Sequence, residues 1–310
     1  MTSTFTPVFT GGTGRSGTTI VGKLLARHEL IHAGHPYEIK FVTGKGGLLD
    51  LLDGALHAPS QPGSKGLQLS QKVAKSINIL MSEKRIKTLD ARISNDWWER
   101  NGKRGTKVGL VQGFSLQEIE SEVSHLRRNY KQHPLCSTRR FFYSVIASNK
   151  FFADSTIFVD TTPTNIERAD HIVRLFEDAK FIQMHRSGRD TISSVLREPW
   201  GPKDPLEAIH WWKRKMLSAH KATQQFHDTQ YLSIKLEELV STGRDDNYAK
   251  LLKFLMIEDH SRMHEYFDQE ITPEKAHIDR WKQDKRLDES FHKKFEEAVK
   301  QLTDRGIQAY

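Results

Sequence analysis

Residues 8–19 read Val8-Phe9-Thr10-Gly11-Gly12-Thr13-Gly14-Arg15-Ser16-Gly17-Thr18-Thr19. They follow a β-rich start, Phe5-Thr6-Pro7-Val8-Phe9, and run into Ile20-Val21-Gly22-Lys23-Leu24-Leu25-Ala26, which has helical spacing. Strand, glycine turn and helix start in that order make an anion cradle. Glycines let successive backbone N–H groups turn inward, and the helix dipole favours negative charge there. The spacing nearly meets the pattern G-x-x-x-x-G-K-[ST], with Gly12 and Gly17 as the glycines and Thr19 as the hydroxyl. Thr18 stands where the phosphate-binding lysine belongs, and Arg15 lies inside the loop instead. Hydrolysis of a nucleoside triphosphate would lack its main cation. The cradle is expected to hold a nucleotide with a different group on its 5′ end.

A second anion site is expected where His185-Arg186-Ser187-Gly188-Arg189-Asp190-Thr191-Ile192-Ser193-Ser194 follows the strand pattern Lys180-Phe181-Ile182-Gln183-Met184-His185. Arg186 falls at the strand end and Ser194 on the next helix. A guanidinium offers paired donors that match a phosphate. The other reading is a structural Arg186–Asp190 ion pair beside an ordinary helix serine. Between the two sites, Gly34 and Pro36 break the chain before Glu38-Ile39-Lys40-Phe41. A carboxylate there is able to take a proton from a nucleophilic hydroxyl. His35 is the competing base, and a solvated loop carboxylate is the alternative for Glu38.

Arg15-Ser16-Gly17-Thr18-Thr19 resembles the 5′-phosphosulfate loop of the PAPS-dependent sulfotransferases, where a basic residue precedes Ser-Gly-Thr-Thr. Arg186, Arg189, Asp190 and Ser194 are similar, position for position, to that family's R-x-x-R-D-x-x-x-S segment. The resemblance implies that Arg186 and Ser194 hold the nucleotide's 3′-phosphate and that Gly14, Arg15, Ser16, Gly17, Thr18 and Thr19 hold the 5′-phosphosulfate. It also implies that Glu38 is the base, since carbohydrate-type members carry Glu-x-His/Lys-Phe at a similar distance; other members put the carboxylate where His35 stands. Asp160-Thr161-Thr162-Pro163 resembles a family segment near the acceptor, with Thr161 replacing its lysine. Lys40, Asp160 and Thr162 are the expected acceptor contacts. Lys275-Ala276-His277-Ile278-Asp279-Arg280-Trp281-Lys282 is similar to a Gly-x-Trp-Lys/Arg segment that covers the nucleotide, but lacks its glycine; Lys275 and Arg280 are the candidates there. The implied reaction passes the sulfuryl group of PAPS, leaving PAP, to a hydroxyl or amine of a small-molecule, glycan or lipid acceptor. A P-loop small-molecule kinase, with Asp160 as its Mg²⁺ carboxylate, and a non-catalytic nucleotide- or polyanion-binding protein are the alternatives.

These residues need a scaffold that gathers them. Ser155-Thr156-Ile157-Phe158-Val159-Asp160, residues 180–185 and Tyr231-Leu232-Ser233-Ile234 read as buried strands, each followed by helical spacing: from Pro163, from Gly188 and through Leu236-Glu237-Glu238-Leu239. Alternating strands and helices predict an α/β fold, a P-loop-containing nucleotide-binding domain spanning 1–310. Its central parallel sheet is flanked by helices, with ligands at the strand C-terminal ends. Helices are also expected near 68–86, 115–130, 137–150 and 289–303, and around Ala208-Ile209-His210-Trp211-Trp212-Lys213 as a core element. Residues 44–66, glycine-rich with Pro59 and Pro62, read as a loop around Leu48-Leu49-Asp50-Leu51-Leu52, either a lid or a plain connection. Trp97-Trp98 serves the core or an acceptor pocket.

Bulk properties narrow the classes. The 47 Lys and Arg against 39 Asp and Glu give a net charge of +8, which suits an anionic ligand. Basic and aromatic residues do not interleave in a nucleic-acid-reading pattern. No apolar run approaches the ~20 residues of a membrane span, and the start lacks the basic-then-apolar order of a signal peptide. Cys136 is the single cysteine, which excludes an internal disulfide and fits a reducing, cytoplasmic setting. The 15 histidines show no ligand spacing, so no metal site is expected. Oligomeric state has no signature in the chain.

Overall fold

Strand residues of this chain point alternately into two apolar layers. The computed structural model describes residues 5–56, 71–102 and 105–310. Phe9, Phe158 and Phe181 enter one core cluster, with Phe41, Phe142 and Phe176. Their neighbours Val8, Val159 and Ile182 enter another, with Val21, Leu24 and Leu251. Burial on both faces is what an all-parallel sheet covered by helices on each side requires.

In chain order, β1 (Thr6–Gly12) feeds α1 (Thr18–Leu25), and β2 (Ile31–Ala33) follows. Next come α2 (Leu48–Leu56), α3 (Gln71–Ala91), the short antiparallel pair β3 (Arg100–Asn101) and β4 (Lys107–Val108), α4 (Leu116–Asn129) and α5 (Pro134–Ala147). β5 (Ile157–Asp160) leads through a 3-10 turn, Pro163–Arg168, to α6 (Ala169–Leu175) and β6 (Lys180–His185). After α7 (Gly188–Val195) and α8 (Pro205–Thr223) comes β7 (Tyr231–Lys235). The chain ends in helices α9 (Leu236–Val240), α10 (Arg244–Leu255), α11 (Ser261–Glu270), α12 (Pro273–Ala276) and α13 (Glu289–Thr303). The main sheet has the order β2-β5-β1-β6-β7, and every pairing in it is parallel.

This topology decides where chemistry can sit. β1 is central, and its neighbours β5 and β6 come from distant sequence. The register sets Phe9 beside Asp160 and Gly12 beside Met184. The loop 13–17, the segment after β2, Thr161-Thr162 and Arg186 therefore all leave the same edge of the sheet. In open parallel sheets that edge is where ligands bind. A third cluster, with Ile192, Trp212, Phe291 and Phe295, ties α7, α8 and α13 together behind the second anion segment.

Two local outcomes differ from the sequence expectation. Residues 44–66 were expected as loop, yet Leu48–Leu56 is helical. Leu48, Leu49, Leu51 and Leu52 are buried, and Asp50 fixes the helix start by accepting from the Gly46 N–H at 2.7 Å and from Arg168 at 2.7 Å. The glycines at 44, 46 and 47 end before this apolar face begins. Residues 57–66 of that stretch lie outside the described residues. The helix expected at 137–150 starts earlier, with Pro134 in its first turn, where a missing N–H costs nothing.

Candidate active site

The P-loop cradle is built from backbone. Gly12 has no room for a side chain: a Cβ would lie 2.2 Å from Ser16 Oγ and 2.6 Å from the Met184 carbonyl oxygen. The loop folds over the sheet at that contact. Gly17 precedes α1 with φ 99°, a left-handed conformation that favours glycine, and it supplies no side-chain cap. The first N–H groups of α1 are therefore left for an outside acceptor. Ser16 Oγ is buried and has no hydrogen-bond partner within the chain.

The second segment is drawn onto this loop. Arg186 donates to the carbonyl oxygen of Arg15 at 3.1 Å and to those of Ala276 and His277 at 3.1 and 2.8 Å. Its Nε is buried without a partner. Burial presses this guanidinium's pKa down, and the Asp190 and Glu237 carboxylates oppose that. Arg15 Nε donates to Ser194 Oγ at 2.9 Å, across 179 positions of sequence. The loop arginine and the helix serine, from the two expected phosphate motifs, thus touch directly.

Asp190 works behind the site. Its carboxylate accepts the N–H of Asp279 at 2.9 Å and of Trp281 at 3.0 Å, which docks the C-terminal segment beside α7. It lies 4.0 Å from Arg186, so the ion pair of the alternative reading exists alongside this role. Arg189 pairs with Glu296 and stacks over Phe295, facing away toward α13.

Gly14, Arg15, Gly17, Thr18 and Thr19 line a cleft of about 710 Å³, together with Glu38, Lys40, Thr162, Arg186 and Lys275. A smaller cavity of about 270 Å³ adjoins it and shares Arg15, Arg186 and His277; Ser194 and Arg280 line this one. The expected binding residues divide between these two spaces. Glu38 is held in the cleft from below. Ile39 is buried and its N–H donates to Asp160 at 3.1 Å, while the Lys40 N–H donates to Thr162 Oγ1 at 3.4 Å. Lys40 Nζ lies 3.4 Å from the Glu38 carboxylate.

Two of the expected residues, His35 and Asp160, sit away from the cleft lining. His35 is exposed, with its ring 4.4 Å from Phe151, outside the cleft lining. Asp160 is fully buried and accepts from Ile39, from the Thr162 N–H and hydroxyl, and from Asn165. Burial pushes its carboxyl up to about 6, against these four donors. It braces the Glu38 segment rather than facing an acceptor. Thr161, in the lysine's place, donates its hydroxyl to the Tyr37 carbonyl at 2.9 Å and packs inside. Lys275 faces the cleft but is paired with Glu270 at 2.5 Å.

Sequence reading missed Glu167, Lys215 and Trp200 in the cleft, whereas Trp97 falls on the acceptor-pocket alternative it had offered. Lys215 donates to Glu167 at 2.5 Å within the cleft wall; burial raises the Glu167 carboxyl, and the lysine opposes that. Trp97, Trp200 and Trp211 complete the wall. Trp212 is core, as expected for its helix, while its neighbour Trp211 turns to the cleft. Adjacent helical residues point about 100° apart, so the Trp-Trp pair was itself the available signal.

Residues 7–261 match the family described as "Sulfotransferase family". A search of curated proteins gives no match. Among solved structures, a sulfotransferase from Mycobacterium avium is similar at 12% identity and TM-score 0.47, over 99% of this chain and 78% of that one. The sulfotransferase domain of an olefin synthase from Synechococcus PCC 7002 is similar at 15% identity and TM-score 0.45, over 97% and 96%. The sulfotransferase domain from the curacin biosynthetic pathway is similar at 14% identity and TM-score 0.43, over 99% of both chains. The family assignment rests on the match across residues 7–261.

Proposed function

The chain belongs to the sulfotransferase family, and we propose that it transfers the sulfuryl group of PAPS to a hydroxyl or amine of a small-molecule, carbohydrate or lipid acceptor. The observation that carries this reading is the meeting of a lysine-less P-loop with the Arg186–Ser194 segment, at the 2.9 Å contact between Arg15 and Ser194. A nucleotide phosphorylated at both its 5′ and 3′ positions needs two anion sites a ribose apart. The chain offers two adjoining cavities, with Arg15 and Arg186 on the boundary. The unpartnered Ser16 Oγ and Arg186 Nε fit such a ligand, since buried polar atoms ordinarily find partners.

PAPS would supply the sulfuryl group and a bisphosphate leaving group. The N–H groups of Gly14 to Thr19, with the Thr18 and Thr19 hydroxyls, would hold the 5′ end. The Arg15 guanidinium, on the boundary of the two spaces, would add its charge at the 5′ end, while Arg186 and Ser194 would hold the 3′-phosphate, with Arg280 on the same cavity. Glu38 would take the proton of the acceptor hydroxyl as its oxygen bonds to sulfur. Charge left on the 5′-phosphate oxygen, as its bond to sulfur breaks, would fall on the loop donors; such preorganised donors are a large source of rate. Lys40 and Thr162 line the acceptor side with the Glu167–Lys215 pair and the tryptophans.

The kinase alternative asks for a loop lysine and a strand-end carboxylate open to Mg²⁺. Thr18 fills the first position, and Asp160 spends both oxygens on chain donors. The test of transfer is PAP formation from PAPS across an acceptor panel, with Glu38→Gln beside the wild type. Loss of a positioned base costs about 10²–10⁴-fold in rate, so Glu38→Gln should fall by that factor and still bind PAP. Undiminished turnover in Glu38→Gln would remove Glu38 from the mechanism.

A further inference from the structure

The acceptor side of the cleft combines indole faces with a charge pair. α8 brings Trp211 and Lys215 to it, one turn apart on the same helix face. Trp211 reaches the P-loop itself: a Cβ on Gly14 would lie 3.9 Å from its indole Cη2. Trp200 lies 6.4 Å from Trp211, ring centre to ring centre, and is 61% exposed, so its indole is open at the cleft. Lys215 donates to Glu167 at 2.5 Å, and the two side chains are only 25% and 16% exposed. Among the described residues, the other lysines of the lining are paired too, Lys40 with Glu38 and Lys275 with Glu270.

Each class of acceptor would meet this wall differently. An alkyl chain or a steroid would cover the Glu167–Lys215 pair without offering it a hydrogen bond, which is costly at largely buried charges. A charged acceptor would have to part the pair and leave one member unmatched. A neutral sugar does neither. Its C–H face lies on an indole, and neighbouring hydroxyls accept from the ammonium and donate to the carboxylate. We propose that Trp200, Trp211, Glu167 and Lys215 form a subsite for a neutral sugar, holding the hydroxyl to be sulfated beside the loop at Gly14. This rests on the sulfotransferase reading of the cleft. In the transfer, the sugar oxygen bonds to sulfur and its proton passes to Glu38. The bond from sulfur to the 5′-phosphate oxygen breaks, and PAP leaves with that electron pair.

Neutral mono- and disaccharides, glucuronic acid, glucosamine, 1-octanol and a phenol are the probes. PAP released from PAPS measures transfer, and indole fluorescence of the PAP-loaded protein measures binding. The variants are Trp200→Ala and the double Glu167→Leu/Lys215→Met, which removes both charges together so that neither is left unpaired. Wild type should sulfate neutral sugars ahead of the other probes. Each variant should raise the sugar KM by about tenfold, the scale of one lost stacking or hydrogen-bonding contact, with PAP affinity kept. Preference for octanol, the phenol or a charged sugar would overturn the inference and leave the sulfotransferase reading standing. So would neutral sugars that neither react nor change the fluorescence of a protein that binds PAP, or an unchanged sugar KM in either variant. A fall in PAP affinity in either variant would assign the wall to the nucleotide instead. A wild type that binds no PAP would remove the sulfotransferase reading, and this inference with it.

Discussion

At the scale of single residues, the legible ones were those bound by a local pattern. Gly12, Gly17 and Thr19 must hold fixed spacing for a loop to cradle an anion, and Arg186 and Ser194 must bracket a strand end and a helix. Glu167 and Lys215 carry no such spacing, because folding alone brings them to the site from separate segments. Buried titratable groups were equally hidden. His32 on β2 is buried with its Nε2 unpartnered, and burial pushes its imidazole down to about 4; His185 at the end of β6 is likewise about 4. Each folded-state value lies below that of the unfolded chain, so the unfolded state binds more protons between pH 6.5 and 4. Stability present above pH 6.5 is then lost as pH falls, by roughly 2 kcal/mol per histidine at pH 5. Asp160, raised to about 6, has the opposite sign and returns about 1 kcal/mol over the same range. Urea midpoints at pH 7 and pH 5 should show the net loss, and the slope should flatten in His32→Gln/His185→Gln. An unchanged slope in that double variant would mean the two imidazoles are not held neutral by the fold.

Elements were legible where period and punctuation agreed. The strands at 157–160, 180–185 and 231–235 emerged close to their expected bounds, as did the amphipathic helix at 289–303. β2 went unread because three residues are too few for a period, and α2 because glycines and prolines crowd the stretch around its short apolar face. What no periodicity encodes is how an element is anchored. Asp190 in α7 accepts two backbone N–H groups of the segment 279–281, within a site that is 2% exposed. Asp190→Ala would leave both donors without their acceptor. A charged acceptor serving two partly buried donors is worth up to about 3 kcal/mol, so the variant should unfold earlier by up to that amount and bind PAP more weakly as Arg186 loses the Ala276 and His277 carbonyls. Full stability in denaturant titration would show that the tail docks by other means.

For the whole molecule, the parallel order β2-β5-β1-β6-β7 makes one edge of the sheet the place where the P-loop, Glu38 and Arg186 gather. Alternation of strand and helix announced a parallel sheet, but not which strands would flank β1. That order puts Arg186 and Arg15 together and sends His35 out against Phe151. Among the described residues no helix is long and apolar enough to cross a membrane. Arg15, Lys40, Arg186, Lys215 and Lys275 line one cleft at this edge, several of them paired with carboxylates. The central claim is that this edge binds a nucleotide through its 3′-phosphate as well as its 5′ end. Isothermal titration of PAP, and separately of ATP with Mg²⁺, on wild type and Arg186→Ala, tests it most directly. The expected result is tight PAP binding that Arg186→Ala reduces by at least about tenfold, the scale of a charge-assisted contact, with Mg-ATP bound weakly by both. Preference for Mg-ATP that ignores Arg186 would contradict the account and make a P-loop kinase the better reading of the same cleft.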